Sequence, residues 1–103
     1  MDIHNLFTDA RVPSSGERFD TLVQQGNVVI ERIVSSSDIT PSEYVQVQDE
    51  WVVLLTGEAR LEVAGRPVSL KAGDHLFLPA HTPHTVTQVS QGATWLAVHI
   101  HPH

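Results

Sequence analysis

The groups in this chain that could do chemistry are carboxylates and imidazoles, and they are unevenly placed. Of the seven histidines, all but His4 lie between His75 and His103. Glu50 stands directly before the apolar run Trp51 to Leu55, and His84 closes the loop Pro79-Ala80-His81-Thr82-Pro83. A carboxylate and a neutral imidazole can each offer a lone pair to a cation, and each can accept a proton from a substrate. Nucleophilic catalysis has no support here. Ser14, Ser15 and the serine run beginning at Ser35 have no base nearby in a recognisable order, cysteine is absent, and no glycine loop of the phosphate-cradling kind occurs.

The C-terminal histidines follow a simple alternation that gives His99, His101 and His103 one shared face. Such a cluster can take up metal adventitiously. The expectation is instead a polar strand end at the surface or near a subunit contact, with no reason for it to meet Glu50. His75 and His81 are expected to line a mouth or face solvent.

The elements that must position these groups read as short strands. Phe19 to Gln24 and Val28 to Val34 are β-branched and apolar runs joined by Gln25-Gly26-Asn27, a hairpin signal because Gly and Asn tolerate positive φ. Trp51 to Leu55, Ala59 to Val63, Pro67 to Lys71, His75 to Leu78, Thr85 to Ser90 and Thr94 to Ile100 follow, separated by Gly- or Pro-containing turns. Tyr44 to Gln48 alternates polar with apolar residues. If it runs straight into the next strand, Tyr44, Gln46, Gln48, Glu50, Val52 and Leu54 share one face. Trp51, Val53 and Leu55 then form an uncovered apolar stripe, of the kind that meets another layer or a second subunit.

Residues 1–18 show no sustained period and contain Pro13, Ser14, Ser15 and Gly16, so they read as an extended arm. Ile3, Leu6, Phe7 and Val12 give that arm something to bury, and residues 19–103 make the folded domain. A chain of 103 residues forms one domain. Twelve acidic against six basic residues give a formal net charge of -6, which argues against nucleic acid or an anionic membrane surface as a partner. No apolar run approaches the ~18 residues of a membrane span, and Met-Asp-Ile-His-Asn-Leu lacks the basic start of a signal peptide. A cytoplasmic protein is the expectation.

Taken together, the stretch from Glu50 to His84 resembles the cupins, small β-barrels with two signature motifs. In the first motif, G-x5-H-x-H-x3,4-E-x6-G, Glu50 and Gly57 keep the carboxyl end, while Tyr44 and Gln46 stand at the two histidine positions. In the second, G-x5-P-x-G-x2-H-x3-N, Gly73, Pro79, His84 and Gln88 fall at the glycine, proline, histidine and asparagine positions, and His81 replaces the second glycine. The resemblance covers about half of the chain. It implies an all-β fold, an antiparallel barrel of the double-stranded β-helix or jelly-roll type.

The same resemblance brings Gln46, Glu50 and His84 together as a candidate metal set of one amide oxygen, one carboxylate and one imidazole. One imidazole with oxygen ligands suits manganese, iron or nickel more than a structural zinc. Tyr44 or His81 would move a proton. The function implied is a metal-dependent oxygenase or isomerase acting on a small organic molecule. The alternatives are a metal-free barrel that binds or senses a small molecule, and a structural dimer whose pocket is a relic of the fold. A homodimer is expected from the small size, the apolar arm and the Trp51, Val53 and Leu55 stripe.

Overall fold

A computed structural model describes residues 1–103, and all of its regular structure is β. The strands are β1 (Glu17–Gln25), β2 (Val28–Ser35), β3 (Asp49–Thr56), β4 (Glu58–Val63), β5 (Arg66–Lys71), β6 (His75–Leu78), β7 (His84–Val89) and β8 (Thr94–Ile100). They form a five-stranded sheet in the order β1-β2-β8-β3-β6 and a three-stranded sheet in the order β5-β4-β7. Every pairing is antiparallel. The expected jelly-roll barrel is therefore the fold observed, and consecutive strands crossing between sheets close a common interior.

Local chemistry explains the corners. The β1–β2 hairpin turns at Gly26-Asn27, with Gly26 at φ 55°, and Gln25 pairs directly with Val28. The β4–β5 hairpin turns at Ala64-Gly65 with φ values of 50° and 78°, the double left-handed turn that suits the right-handed twist of its strands. Gly57 at φ 88° links β3 to β4, and a Cβ there would come within 2.6 Å of Ser90 Oγ.

Alternation sorts the side chains of the central strands. Val52 and Leu54 of β3 and Trp95 and Ala97 of β8 are buried and belong to one apolar cluster with Ile33, Leu61, Leu70 and Leu78. Trp51, Val53 and Leu55 point the other way, as expected, and are half-buried. Trp51 is partly covered by the ring of His75, whose centroid lies 5.5 Å away.

Two expectations are corrected. Tyr44 to Gln48 does not run into β3 as a continuous strand: β3 opens at Asp49, and Tyr44 makes only an isolated bridge to His84. Bends at Val47 and Gln48 break the strand, and the backbone of this segment is held through Tyr44 and Gln46 by the β6–β7 loop. The arm leaves most of its apolar side chains exposed, Ile3 at 90% and Phe7 at 59%, with Leu6 alone half-buried among Ile3, Leu6, Phe7 and Val12. Polar bonds hold it instead. Arg32, buried in β2, donates to the carbonyls of Leu6 and Thr8 and to Asp20 Oδ2. The barrel itself begins at Glu17, inside the span expected to be arm.

Candidate functional site

Glu50 is the first inward-facing residue of β3, paired across the ladders with Leu78 of β6 on one side and His99 of β8 on the other. It is 7% exposed, and its Oε1 accepts a hydrogen bond of 2.9 Å from Gln46 Nε2. Gln46 is steered by its own backbone, because its carbonyl accepts a 2.6 Å bond from the His81 N–H. His84 opens β7, exchanges backbone hydrogen bonds with Tyr44 at 2.8 and 3.0 Å, and lies with its ring stacked on the Tyr44 ring at a centroid distance of 5.9 Å. Its Nδ1 lies 3.0 Å from the Thr82 carbonyl. A carbonyl can only accept, so Nδ1 carries the proton, and in the neutral imidazole Nε2 is then the free lone pair.

These groups line one interior cavity of about 100 Å³, together with Glu17, Phe19, Glu31, Trp95 and His99. Tyr44, Gln46, Glu50 and His84 are thus gathered in one place. His81 is not among them. Its side chain is exposed and its backbone sits at φ 66°, so it serves the site through its N–H and not through its ring.

The residue that sequence reasoning placed wrongly is His99. Far from ending a surface cluster, it is 8% exposed, with Nε2 2.8 Å from Glu31 Oε1 and Nδ1 3.9 Å from Glu50 Oε1. The reason is topological. β8 lies between β2 and β3, so the alternation that buries Trp95 and Ala97 also buries His99, facing two carboxylates. The C-terminal histidines are split only in part: the His101 ring still lies 6.3 Å from that of His99, whereas His103 Nε2 sits beside Asn27 Nδ2 at 3.3 Å. Glu31 and Glu17 were also passed over. Charged residues inside an otherwise apolar strand were the available signal, and Val28-Val-Ile-Glu-Arg-Ile-Val34 carries two, Glu31 and Arg32.

Electrostatics follow from these contacts. The hydrogen bond to Glu31 raises the pKa of His99, burial opposes that, and the nearby Glu50 and Glu31 charges reinforce it. Burial pushes the Glu17 carboxyl up; the Ser35 hydroxyl, donating at 2.7 Å, works against this, while repulsion from Glu50 and Glu31 adds to it. Behind Glu17, Trp95 Nε1 donates to Ser35 Oγ at 3.0 Å. The Ser35 proton is therefore directed to Glu17.

The metal set expected from the motifs can be tested against this arrangement. Gln46 turns an N–H toward Glu50, where a shared cation would need a second acceptor. No three histidine, aspartate or glutamate side chains surround a common point at ligand distance. Every fully buried side-chain polar atom already has a partner. Gln46 and Glu50 are held by their mutual hydrogen bond, and although Glu50 Oε2 and His84 Nε2 carry none, the side chains as arranged do not converge on a divalent ion.

Comparison with known proteins agrees with the barrel. A description of the cupin domain matches residues 29–101. The chain belongs to the cupin family. A protein of known structure from Ralstonia eutropha JMP134, described as a candidate mannose-6-phosphate isomerase, is 33% identical; the match covers 99% of this chain and 100% of that one, with a TM-score of 0.86. A conserved protein of unknown function from Streptococcus pyogenes shares 19% identity over 99% of this chain and 89% of its own, with a TM-score of 0.82. An RmlC-like cupin from Shewanella frigidimarina shares 15% over 99% and 93%, with a TM-score of 0.79. The last two show likeness of fold alone. No curated protein sequence matches the chain.

Proposed function

We propose that this cupin is a small-molecule-binding barrel whose site is the interior cavity, and that its ligand contacts are made without a resident metal. The observation that supports this reading is the network of Gln46, Glu50, His99 and Glu31, in which each side chain is oriented by another. Orientation without a cation gives a preorganised site. Tyr44, half-exposed and stacked on His84, is the group placed to exchange a proton with a bound molecule.

The isomerase description of the Ralstonia protein suggests a sugar phosphate as one ligand for this cupin. The cavity argues otherwise. Lysine and arginine are absent from its lining, and a phosphate needs cationic or N–H donors.

The two tryptophans provide a test. Trp95 lines the cavity, whereas Trp51 lies on the outer face of the same sheet. In a ¹H–¹⁵N spectrum a ligand in the barrel should shift the Trp95 indole and leave Trp51 in place. Ligands that move only Trp51 would overturn the reading.

A second reading keeps the divalent ion, manganese, iron or nickel, and rests on the free Nε2 of His84. It requires Gln46 to rotate its amide so that the carbonyl faces Glu50. Metal-to-protein ratios measured after purification without a histidine tag separate the two. On the second reading His84→Ala loses a stoichiometric metal, whereas on the first there is none to lose.

The outer stripe of Trp51, Val53 and Leu55 belongs to the same proposal as the seat of a second copy of the chain. Light scattering should then return twice the chain mass.

A further inference from the structure

The walls of the cavity are unbalanced in charge and in hydrogen-bonding sense. Glu17, Glu31 and Glu50 all face it, and the two imidazoles, His84 and His99, are the groups there that can carry positive charge. His99 is already engaged by two of the three carboxylates. Arg32 does not help, because its guanidinium is held by Asp20 and by carbonyls of the N-terminal arm. Glu17 is left with Ser35 as its hydrogen-bond partner.

The unpartnered atoms point the same way. His84 is 9% exposed and presents the Nε2 lone pair, which has no partner, to the cavity. Glu50 is 7% exposed and engages Gln46 through Oε1, so Oε2 has no hydrogen bond. Ser35 accepts from the Trp95 indole and gives its proton to Glu17 Oε2, which leaves Glu17 Oε1 open. Free acceptors are therefore in excess over free donors. A ligand that satisfies such a wall must bring N–H groups and positive charge.

We propose that the cavity takes the ammonium head of a small organic amine, with its N–H bonds directed at Glu17, Glu50 and His84 Nε2. This rests on the reading of the interior as the binding site and gives that site a ligand class. A three-donor head matches three acceptors. Its charge relieves the mutual repulsion of the carboxylates, and in a partly dehydrated site that relief is larger than in water. The path for the rest of the ligand is also present. A second cleft of about 120 Å³ shares Glu17, Phe19, Tyr44 and Val86 with the cavity and continues past Ile39. A short apolar tail leaves by that route, along the faces of Phe19 and Tyr44.

The experiment uses the full chain dialysed against chelator, with ethylammonium, ethanol, acetate and inorganic phosphate as probes at constant ionic strength. The Trp95 indole shift is the readout. Ethylammonium should give a saturable shift, with acetate and phosphate giving none. Glu17→Gln should weaken that binding at least tenfold, whereas Glu58→Gln, exposed at the start of the central strand β4 of the other sheet, should leave it unchanged. Ethanol or acetate binding as well as ethylammonium, or an unaffected Glu17→Gln variant, overturns the assignment while the cavity remains a binding site. Mn²⁺ that saturates the site and excludes ethylammonium overturns it in favour of the metal reading. If no probe of any charge moves Trp95, the reading of the interior as the site falls as well.

Discussion

Along β3 the inward side chains run Glu50, Val52, Leu54, and along β8 they run His99, Ala97, Trp95. The two strands are antiparallel neighbours, so both present polar groups at one end of the interior and apolar groups at the other. At the apolar end Leu54 and Ala97 are fully buried and packed in a cluster whose members need only fill space. At the polar end Glu50 and His99 are buried nearly as well, but each needs a specific partner because a buried polar group without one is costly. One pair of strands thus packs apolar side chains at one end and holds a hydrogen-bonded, cavity-facing polar arrangement at the other. The comparison teaches where substitution should cost stability and where it should alter binding or pH response.

The largest effect belongs to the apolar end. Leu54→Ala removes a side chain with no solvent exposure from the centre of the cluster, and the expected loss is ~2–5 kcal/mol, read as a lower urea midpoint at unchanged slope. A loss of a few tenths of a kcal/mol would mean that this end collapses around the gap and is less rigidly packed than its burial implies.

A smaller loss is expected where backbone, and not packing volume, sets the shape. Gly57 joins β3 to β4 at φ 88°, and an added Cβ would lie 2.6 Å from Ser90 Oγ and 2.9 Å from Ala93 Cβ. Ser90 Oγ also accepts the Glu58 N–H at 2.9 Å. Gly57→Ala should therefore cost ~1–3 kcal/mol through strain and displacement of that bond. Thermal unfolding of this variant beside Leu54→Ala ranks the two. Equal stability with wild type would show that the turn is free to relax.

Much of this barrel was legible in the sequence, and its limits have physical causes. β-Branched runs between Gly and Asn turns located the strands, and motif spacing located Glu50, Gly57 and His84, because both depend on residues near one another in the chain. The continuous Tyr44 to Leu54 strand was misread, since alternation alone does not reveal the bends at Val47 and Gln48 or the pull of the β6–β7 loop on Gln46 and Tyr44. His99 was missed for a different reason. Leu96, Val98 and Ile100 are the more apolar half of β8, yet the half containing Trp95, Ala97 and His99 faces inward. Which face of a strand is buried depends on its neighbours in the sheet, and β8 sits between strands far away in sequence.

The smallest and most diagnostic effect is at the polar end, in the dependence of stability on pH. His99 has its pKa raised from 6.5, chiefly by the hydrogen bond to Glu31. A group whose folded pKa is raised binds its proton more tightly in the folded state. Its contribution is fully present below pH 6.5 and is lost as pH rises through the folded value. Glu17, raised from 4.5 mainly by burial, acts with the same sign in a lower window that begins at pH 4.5. Asp20 acts oppositely: the Arg32 hydrogen bond lowers its pKa from 3.8, so its contribution is lost as pH falls below that value. Between pH 6 and 8, His99 carries the slope that these raised and lowered groups predict, and the unfolding free energy read from urea titrations should fall across that window by no more than about 1 kcal/mol. Replacing Glu31 with Gln removes the main cause of the shift, so Glu31→Gln should flatten the decline, and His99→Gln should abolish it. Leu54→Ala, at the other end of the same strands, should lower every midpoint and leave the slope intact. A slope that survives in both His99→Gln and Glu31→Gln would assign the pH response to some other group and remove the functional contrast between the two ends of the barrel.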